Sequence, residues 1–347
     1  MADQLPTDLN NAELIMYGLM VDAAYKGFAA DEKQPIEPYG YDSVLSRQNE
    51  IAAACAGHSR YFATTYLYAT IKPVEGLPFL DSALDKSYWF GYVAVSARAD
   101  RLDIVVAWRG SVTPMDLVMD VHAELKPFDG DAAATGKVEE GFYNVYTSSM
   151  DSSKQKHGVL SAKQQVVKEV TRLVSYFREH PCIRVTMTGH SLGGALALMS
   201  AHDAAAALAR YDHVQVRAVT FGAPRVGDEV FRNALENRNV KVVRVVVDKD
   251  PVPSMPPPNI GFVDVGDYNI KLVDDTSPLK QSPHSLGLYL RLLGLPQKQP
   301  GGSSSPAATT STVDKGPKMV LESDGYARVP LHELERWILT PAARSRL

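Results

Sequence analysis

Between Ile183 and Arg210 the chain passes from an extended run (Ile183 to Met187) into a run of helix formers (Ala195 to Arg210). The join reads Thr188-Gly189-His190-Ser191-Leu192-Gly193-Gly194-Ala195. A Gly-x-Ser-x-Gly between a strand and a helix constrains a chain tightly. The turn is sharp and strained, so the residues two before and two after the serine cannot carry a bulky Cβ against strand or helix. The serine hydroxyl is pushed out above the sheet, and the following helix aims its first N–H groups and positive dipole end at the same space. That arrangement is a nucleophile elbow.

The surrounding sequence alternates in type. Asn10 to Phe28 reads as an amphipathic helix, with Leu14, Gly18, Val21 and Tyr25 on one face. Gln48 to Tyr61 reads as a second helix. Tyr88 to Ser96 and Leu102 to Trp108 read as a hairpin, and the continuously apolar Ile104 to Trp108 suits a central strand. Glu139 to Ser149 and Ala162 to His180 read as helices, the second with Val166, Val170, Leu173, Val174 and Phe177 on a buried face. Strands at Val214 to Phe221 and Val240 to Val247 alternate with helices at Leu192 to Arg210 and Gly227 to Asn237. Such alternation predicts an α/β fold, a mostly parallel central sheet with helices on both faces. Residues 1–295 form one expected domain. Residues 296–316, rich in Pro, Gly, Ser and Thr without apolar period, are an expected flexible loop. Residues 317–347 are an expected extension packed on the same domain.

Charge and composition exclude several classes. The net charge of −4 offers no basic field for nucleic acid. No apolar stretch reaches the length of a membrane span. The start, Met1-Ala2-Asp3-Gln4, is polar and acidic rather than a signal peptide, so a cytoplasmic location is expected unless a plastid transit peptide precedes the chain. The two cysteines, Cys55 and Cys182, read as buried free thiols.

A serine nucleophile needs a base, a group that orients the base, and donors for an oxyanion. In strand–elbow topology the order along the chain is Ser, then Asp or Glu, then His. Past the strand ending at Val247, Asp248 and Asp250 compete as the acid, each also plausible as a solvated turn residue. Three histidines lie beyond the elbow helix: His213, His284 and His332. His213 precedes the acid and sits in a surface turn, and His332 lies on a surface helix. His284 opens a short apolar helix, Ser285 to Leu293, that would anchor it at the sheet edge. His190 is expected to pack behind the serine rather than serve it, since adjacent side chains diverge. The oxyanion donors are expected to be the N–H groups of Leu192 and of Ser111, which follows the apolar strand in Trp108-Arg109-Gly110-Ser111. Ser111 is equally suited to cap a following helix. Leu117 to Phe128 is amphipathic and follows that loop; a mobile lid and a helix packed on the core are both compatible with it.

Taken together, these pieces resemble the class 3, fungal-type lipase family of α/β-hydrolases. The likeness rests on Ile104 to Ser111, Gly141-Phe142-Tyr143, Thr188 to Gly194, Phe221 to Gly227, Asp250-x-Val252-Pro253 and His284. Within the family the chain is most similar to the plant phospholipase A1 group related to jasmonate-pathway lipases, through Tyr92 to Val95 and Phe262 to Gly266 ahead of Ser277-Pro278. It departs from that group at Leu117, where a tryptophan is usual. The resemblance implies Ser191 as nucleophile, Asp250 rather than Asp248 as acid, His284 as base, and Ser111 with Leu192 as oxyanion hole. It implies hydrolysis of the sn-1 acyl ester of a phospholipid at a membrane or micelle interface, with no cofactor and no metal. A triacylglycerol or galactolipid lipase would use the same residues. A catalytically idle lipase-fold signalling protein is the reading of another class; retention of every expected catalytic residue argues against it.

Overall fold

The computed structural model describes residues 5–33, 61–71, 86–98, 100–111, 124–149, 160–275, 282–295, 319–322 and 326–339. The first half runs α1 (Asn11–Lys33), β1 (Phe62–Ile71), β2 (Lys86–Ala97), β3 (Leu102–Trp108), β4 (Leu125–Pro127), α2 (Ala132–Thr135), β5 (Lys137–Glu139), α3 (Glu140–Thr147) and α4 (Ala162–Tyr176). The second half runs β6 (Ile183–His190), α5 (Leu192–Leu208), β7 (Val214–Phe221), α6 (Glu229–Asn237), β8 (Lys241–Val247), β9 (Tyr268–Leu272), α7 (Leu286–Leu292), β10 (Val320–Leu321), β11 (Ala327–Arg328) and α8 (Leu331–Leu339).

Among the described residues, nine strands form one sheet in the order β10-β11-β1-β2-β3-β6-β7-β8-β9. From β3 to β9 neighbours are parallel; β2 and β3 form the expected antiparallel hairpin, closed by the Arg98 N–H on the Arg101 carbonyl. Every residue of β3 and β6 is buried, as strands covered on both faces should be. On one face α1 packs across β2, β3 and β6 and meets α7; on the other, α5 lies over β3, β6 and β7 beside α4. Helix α5 is buried nearly all round because its sequence is alanine and leucine on every side. Helix α4 starts with a reciprocal capping box between Ser161 and Gln164. Helix α6 starts at an Asp228 side chain that accepts from Phe231 N–H. This is the α/β-hydrolase architecture expected from the sequence.

Several expectations need correction. No element was expected at Phe62 to Ile71, yet β1 is a ten-residue strand pairing with both β2 and β11. Two register shifts against β2 and burial of its described side chains on both faces remove the alternation that marks a half-buried strand. The expected helix at Gln48 to Tyr61 falls outside the described residues except for Tyr61, which is buried and non-helical. Of the amphipathic segment Leu117 to Phe128, residues 117–123 lie outside the described residues. In its described part Leu125–Pro127 is β4, paired with β5, and the fully buried Phe128 opens a short 3-10 turn, so no α-helix forms there. The expected loop 296–316 and Cys55 also lie outside the described residues; Cys182 carries a free thiol, as expected, but is half-buried rather than buried. Strands β10 and β11 extend the sheet beyond β1.

Candidate active site

The parallel register brings four strand ends to one edge of the sheet. Trp108 pairs with Gly189, His190 with Phe221, and Phe221 with Val245. The loops that follow carry Ser111, Ser191, Gly222 and Asp250, so the chain converges at the carboxyl edge, where open α/β sheets bind ligands.

At the elbow, Ser191 has φ 57 and ψ −128, a left-handed conformation that a residue with a Cβ rarely adopts. The flanking glycines allow it. A Cβ on Gly189 would run into the Gly193 backbone, and one on Gly193 would stand 2.5 Å from the Trp108 carbonyl oxygen. Ser191 Oγ lies 2.8 Å from His284 Nε2, and His284 Nδ1 lies 2.8 Å from Asp250 Oδ2. All three residues are buried, Ser191 to 1% exposure. The order Ser191, Asp250, His284 along the chain is the order in space.

The acid is held by more than the histidine. Tyr289, on α7 five residues past His284, donates its hydroxyl to Asp250 Oδ2 at 2.5 Å, and Val252 N–H donates to Oδ1 at 2.9 Å. Burial, and then the Asp250 carboxylate, push the Tyr289 phenol well above its ordinary range, so it stays a donor. Tyr289 was absent from the sequence-derived site, because an aromatic on an apolar helix is indistinguishable from core. The loop after Asp250 is clamped by two arginines. Arg225 donates to Asp264 and to the Pro256 carbonyl, and Arg244 to Asp264 and the Pro253 carbonyl. Burial opposes the Asp264 carboxylate, but Arg244 and Arg225 outweigh it and hold that group below its ordinary value.

The remaining candidates are placed elsewhere. Asp248 is exposed and accepts from Asp274 N–H, away from His284. His213 immediately precedes β7 and bonds through its carbonyl to Ile183 N–H, at the opposite, amino edge of the sheet. His332 is exposed on α8. His190 is buried behind the serine, as its position in the elbow suggested.

For the oxyanion donors, Leu192 is the first residue of α5, so its N–H has no acceptor within the helix. Ser111 is half-buried and follows Gly110, which packs against the serine: a Cβ on Gly110 would lie 3.0 Å from Ser191 Cβ. The loop is braced by Arg109. Its guanidinium lies between the rings of Phe28 and Phe90, 3.9 and 4.1 Å from their centres, and donates to the carbonyls of Trp89 and Gly110 at 2.8 Å.

Among the described residues one cluster has metal-ligand chemistry: Asp129, His202 and Asp203. The Lys163 ammonium bonds to Asp129 and lies 3.3 Å from Asp203, taking the place a cation would hold. Burial works against that ammonium, but the two carboxylates prevail and raise it above its ordinary value.

The family Lipase (class 3) matches residues 105–260, a span that includes Ser111, Ser191, Leu192 and Asp250. Phospholipase A1-II 7 of Oryza sativa subsp. indica is 32% identical over 343 residues, covering 86% of this chain and 80% of that protein. The chain belongs to the class 3 lipases, in their plant phospholipase A1 group. Another relative in this family is the chloroplastic Phospholipase A1-Igamma1 of Arabidopsis thaliana, 36% identical over 269 residues; the match covers 71% of this chain but only about half, 51%, of that protein. A solved structure, Rhizomucor miehei triacylglyceride lipase, is 21% identical with a TM-score of 0.46, covering 78% of this chain and 82% of that one.

Proposed function

We propose that this chain is a serine acyl hydrolase that cleaves the sn-1 fatty acyl ester of phospholipids. The observation that carries the reading is the continuous contact from Ser191 Oγ through the His284 ring to Asp250, 2.8 Å at each step. Asp250 accepts a hydrogen bond from Nδ1–H, which keeps that hydrogen on Nδ1 and leaves Nε2 as the bare nitrogen facing the serine. Nε2 takes the Ser191 proton as Oγ attacks the ester carbonyl. The oxyanion then accepts from the N–H groups of Leu192 and Ser111. His284 passes the proton to the departing lysophospholipid hydroxyl. A water deprotonated by the same nitrogen attacks the acyl-serine, and the fatty acid leaves.

The choice of phospholipid and of the sn-1 position is supported by the relatives, which carry the name phospholipase A1. At 1% exposure Ser191 lies below the protein surface, so this reading requires the ester carbonyl to be drawn into the protein from a lipid surface. The peripheral lipid surface is the partner this reading requires. The deciding experiment is fatty-acid release from phosphatidylcholine, a diacyl galactolipid and triacylglycerol in parallel, with positional analysis of the products. Release from sn-1 of phosphatidylcholine is expected. Release confined to triacylglycerol or galactolipid would keep the serine chemistry and overturn the substrate.

A further inference from the structure

Helix α1 lies far from Ser191 in sequence, yet its Tyr25 reaches the centre of the site. Gly110 packs against it: a Cβ there would lie 2.3 Å from Tyr25 Oη. Tyr25 Oη stands 2.9 Å from His190 Nδ1, and His190 Nε2 stands 2.9 Å from the carbonyl oxygen of His284. The direction of each bond is fixed. A carbonyl only accepts, so Nε2 carries the hydrogen. The His190 ring is neutral, since burial, and then the neighbouring His284, hold it down to about 3. Nδ1 is therefore a bare acceptor, and the Tyr25 hydroxyl is its donor. A path of two hydrogen bonds thus runs from α1, through the elbow, to the backbone of His284, and its Tyr25 end abuts Gly110 of the oxyanion loop.

The packing around the path is tight. A Cβ on Gly110 would collide with Tyr25 Oη and come 2.6 Å from the His190 carbonyl oxygen. The rings of His190 and His284 lie 4.7 Å apart, tilted by 32°. Phe28, one turn after Tyr25 on α1, backs the Arg109 guanidinium that holds the Gly110 carbonyl. Gly110 is therefore held at its Cα by Tyr25 and at its C=O by the arginine that Phe28 backs, contacts that both end on α1.

We propose that Tyr25 and His190 are positioning residues for the acyl-transfer reaction, holding the oxyanion loop and the backbone of His284 in one register. The inference rests on the catalytic reading of Ser191, His284 and Asp250. The neutral His190 also lets a positive charge form on His284 without a like charge beside it.

The test is the rate of covalent labelling of Ser191 by a fluorophosphonate, measured against pH. The proteins are wild type, Tyr25→Phe, His190→Gln and His190→Leu, each checked for folding by circular dichroism. Tyr25→Phe keeps the ring and removes the hydroxyl that donates to His190 and abuts Gly110. It should label about tenfold more slowly, with unchanged apparent affinity for the reagent and a displaced acid limb. His190→Gln, which keeps an N–H for the His284 carbonyl, should label several-fold faster than His190→Leu. A folded Tyr25→Phe with the wild-type rate and pH profile overturns the relay. Should Tyr25→Phe fail to fold, the His190 pair decides, and equal rates for Gln and Leu overturn the relay. Wild type that does not label at Ser191 overturns the catalytic reading instead, and the relay with it.

Discussion

At the scale of single residues, the site is a set of buried polar groups whose partners are nearly all supplied by the fold. Asp250 accepts from His284, Tyr289 and Val252. Removing the Tyr289 hydroxyl takes away one of three donors and leaves the imidazole to be aligned by a looser carboxylate. Tyr289→Phe should lower kcat on a soluble ester about tenfold with little change in KM, measured by steady-state kinetics. His190 gives a second prediction, on stability. Its ring is ordinary in the unfolded chain, titrating near 6.5, and is held to about 3 when folded among Tyr25, His284 and Tyr289. Between those values the unfolded chain binds the extra proton, so this contribution is whole above pH 6.5 and is lost as pH falls toward 3. Urea unfolding should show wild type losing up to about 1.4 kcal/mol per pH unit more than His190→Gln across that window.

At the scale of elements, legibility followed how much local pattern each segment carries. The elbow was readable because its glycines, serine and flanking strand and helix are contiguous. The hairpin β2–β3 and helix α4 were readable from continuous apolar runs and from helical spacing. Strand β1 was not, because it is covered on both faces and bulged against β2. Strand β9 was missed because it is a five-residue edge strand of half-buried side chains, and β4 with β5 because each has only three residues. Helix α1 was legible as a helix but not as part of the site. Its apolar face packs in the core, and distant charges tie its start: Glu13 bonds to the buried Arg184 of β6, which also holds Asp103 of β3 at 2.8 Å. Burial opposes the Arg184 guanidinium, but the tyrosine and carboxylates around it hold its affinity for the proton above the ordinary value. Glu13→Ala leaves that cation short of a partner. Thermal or urea unfolding should show a loss of about 2 kcal/mol. Activity should fall as well, since the same helix carries Tyr25 and Phe28.

At the scale of the whole molecule, one parallel register sets the chemistry. Strands β3, β6 and β8 end at the same edge, and each delivers one component: the loop to Ser111, then Ser191, then Asp250. Helix α7 returns His284 to that edge and anchors it from the face that α1 covers. The sequence order Ser191, Asp250, His284 follows from this winding, which brings the three side chains into contact. Choosing Asp250 over Asp248 was different. It came from family resemblance, because two aspartates two residues apart beyond a strand end look alike until the turn is built; here the turn sends Asp248 to solvent and Asp250 inward. Tyr25 and Tyr289 carried no signal, since their contacts lie about 165 and 39 residues away in sequence.

The central claim is that Ser191 is the nucleophile of an acyl hydrolase. It is tested most directly by comparing fatty-acid release from phosphatidylcholine by wild type and by Ser191→Ala, at matched folding by circular dichroism. The account predicts that the variant keeps its fold and loses release by a factor on the order of 10⁴ to 10⁶. Release by folded Ser191→Ala at a rate near that of wild type would contradict it.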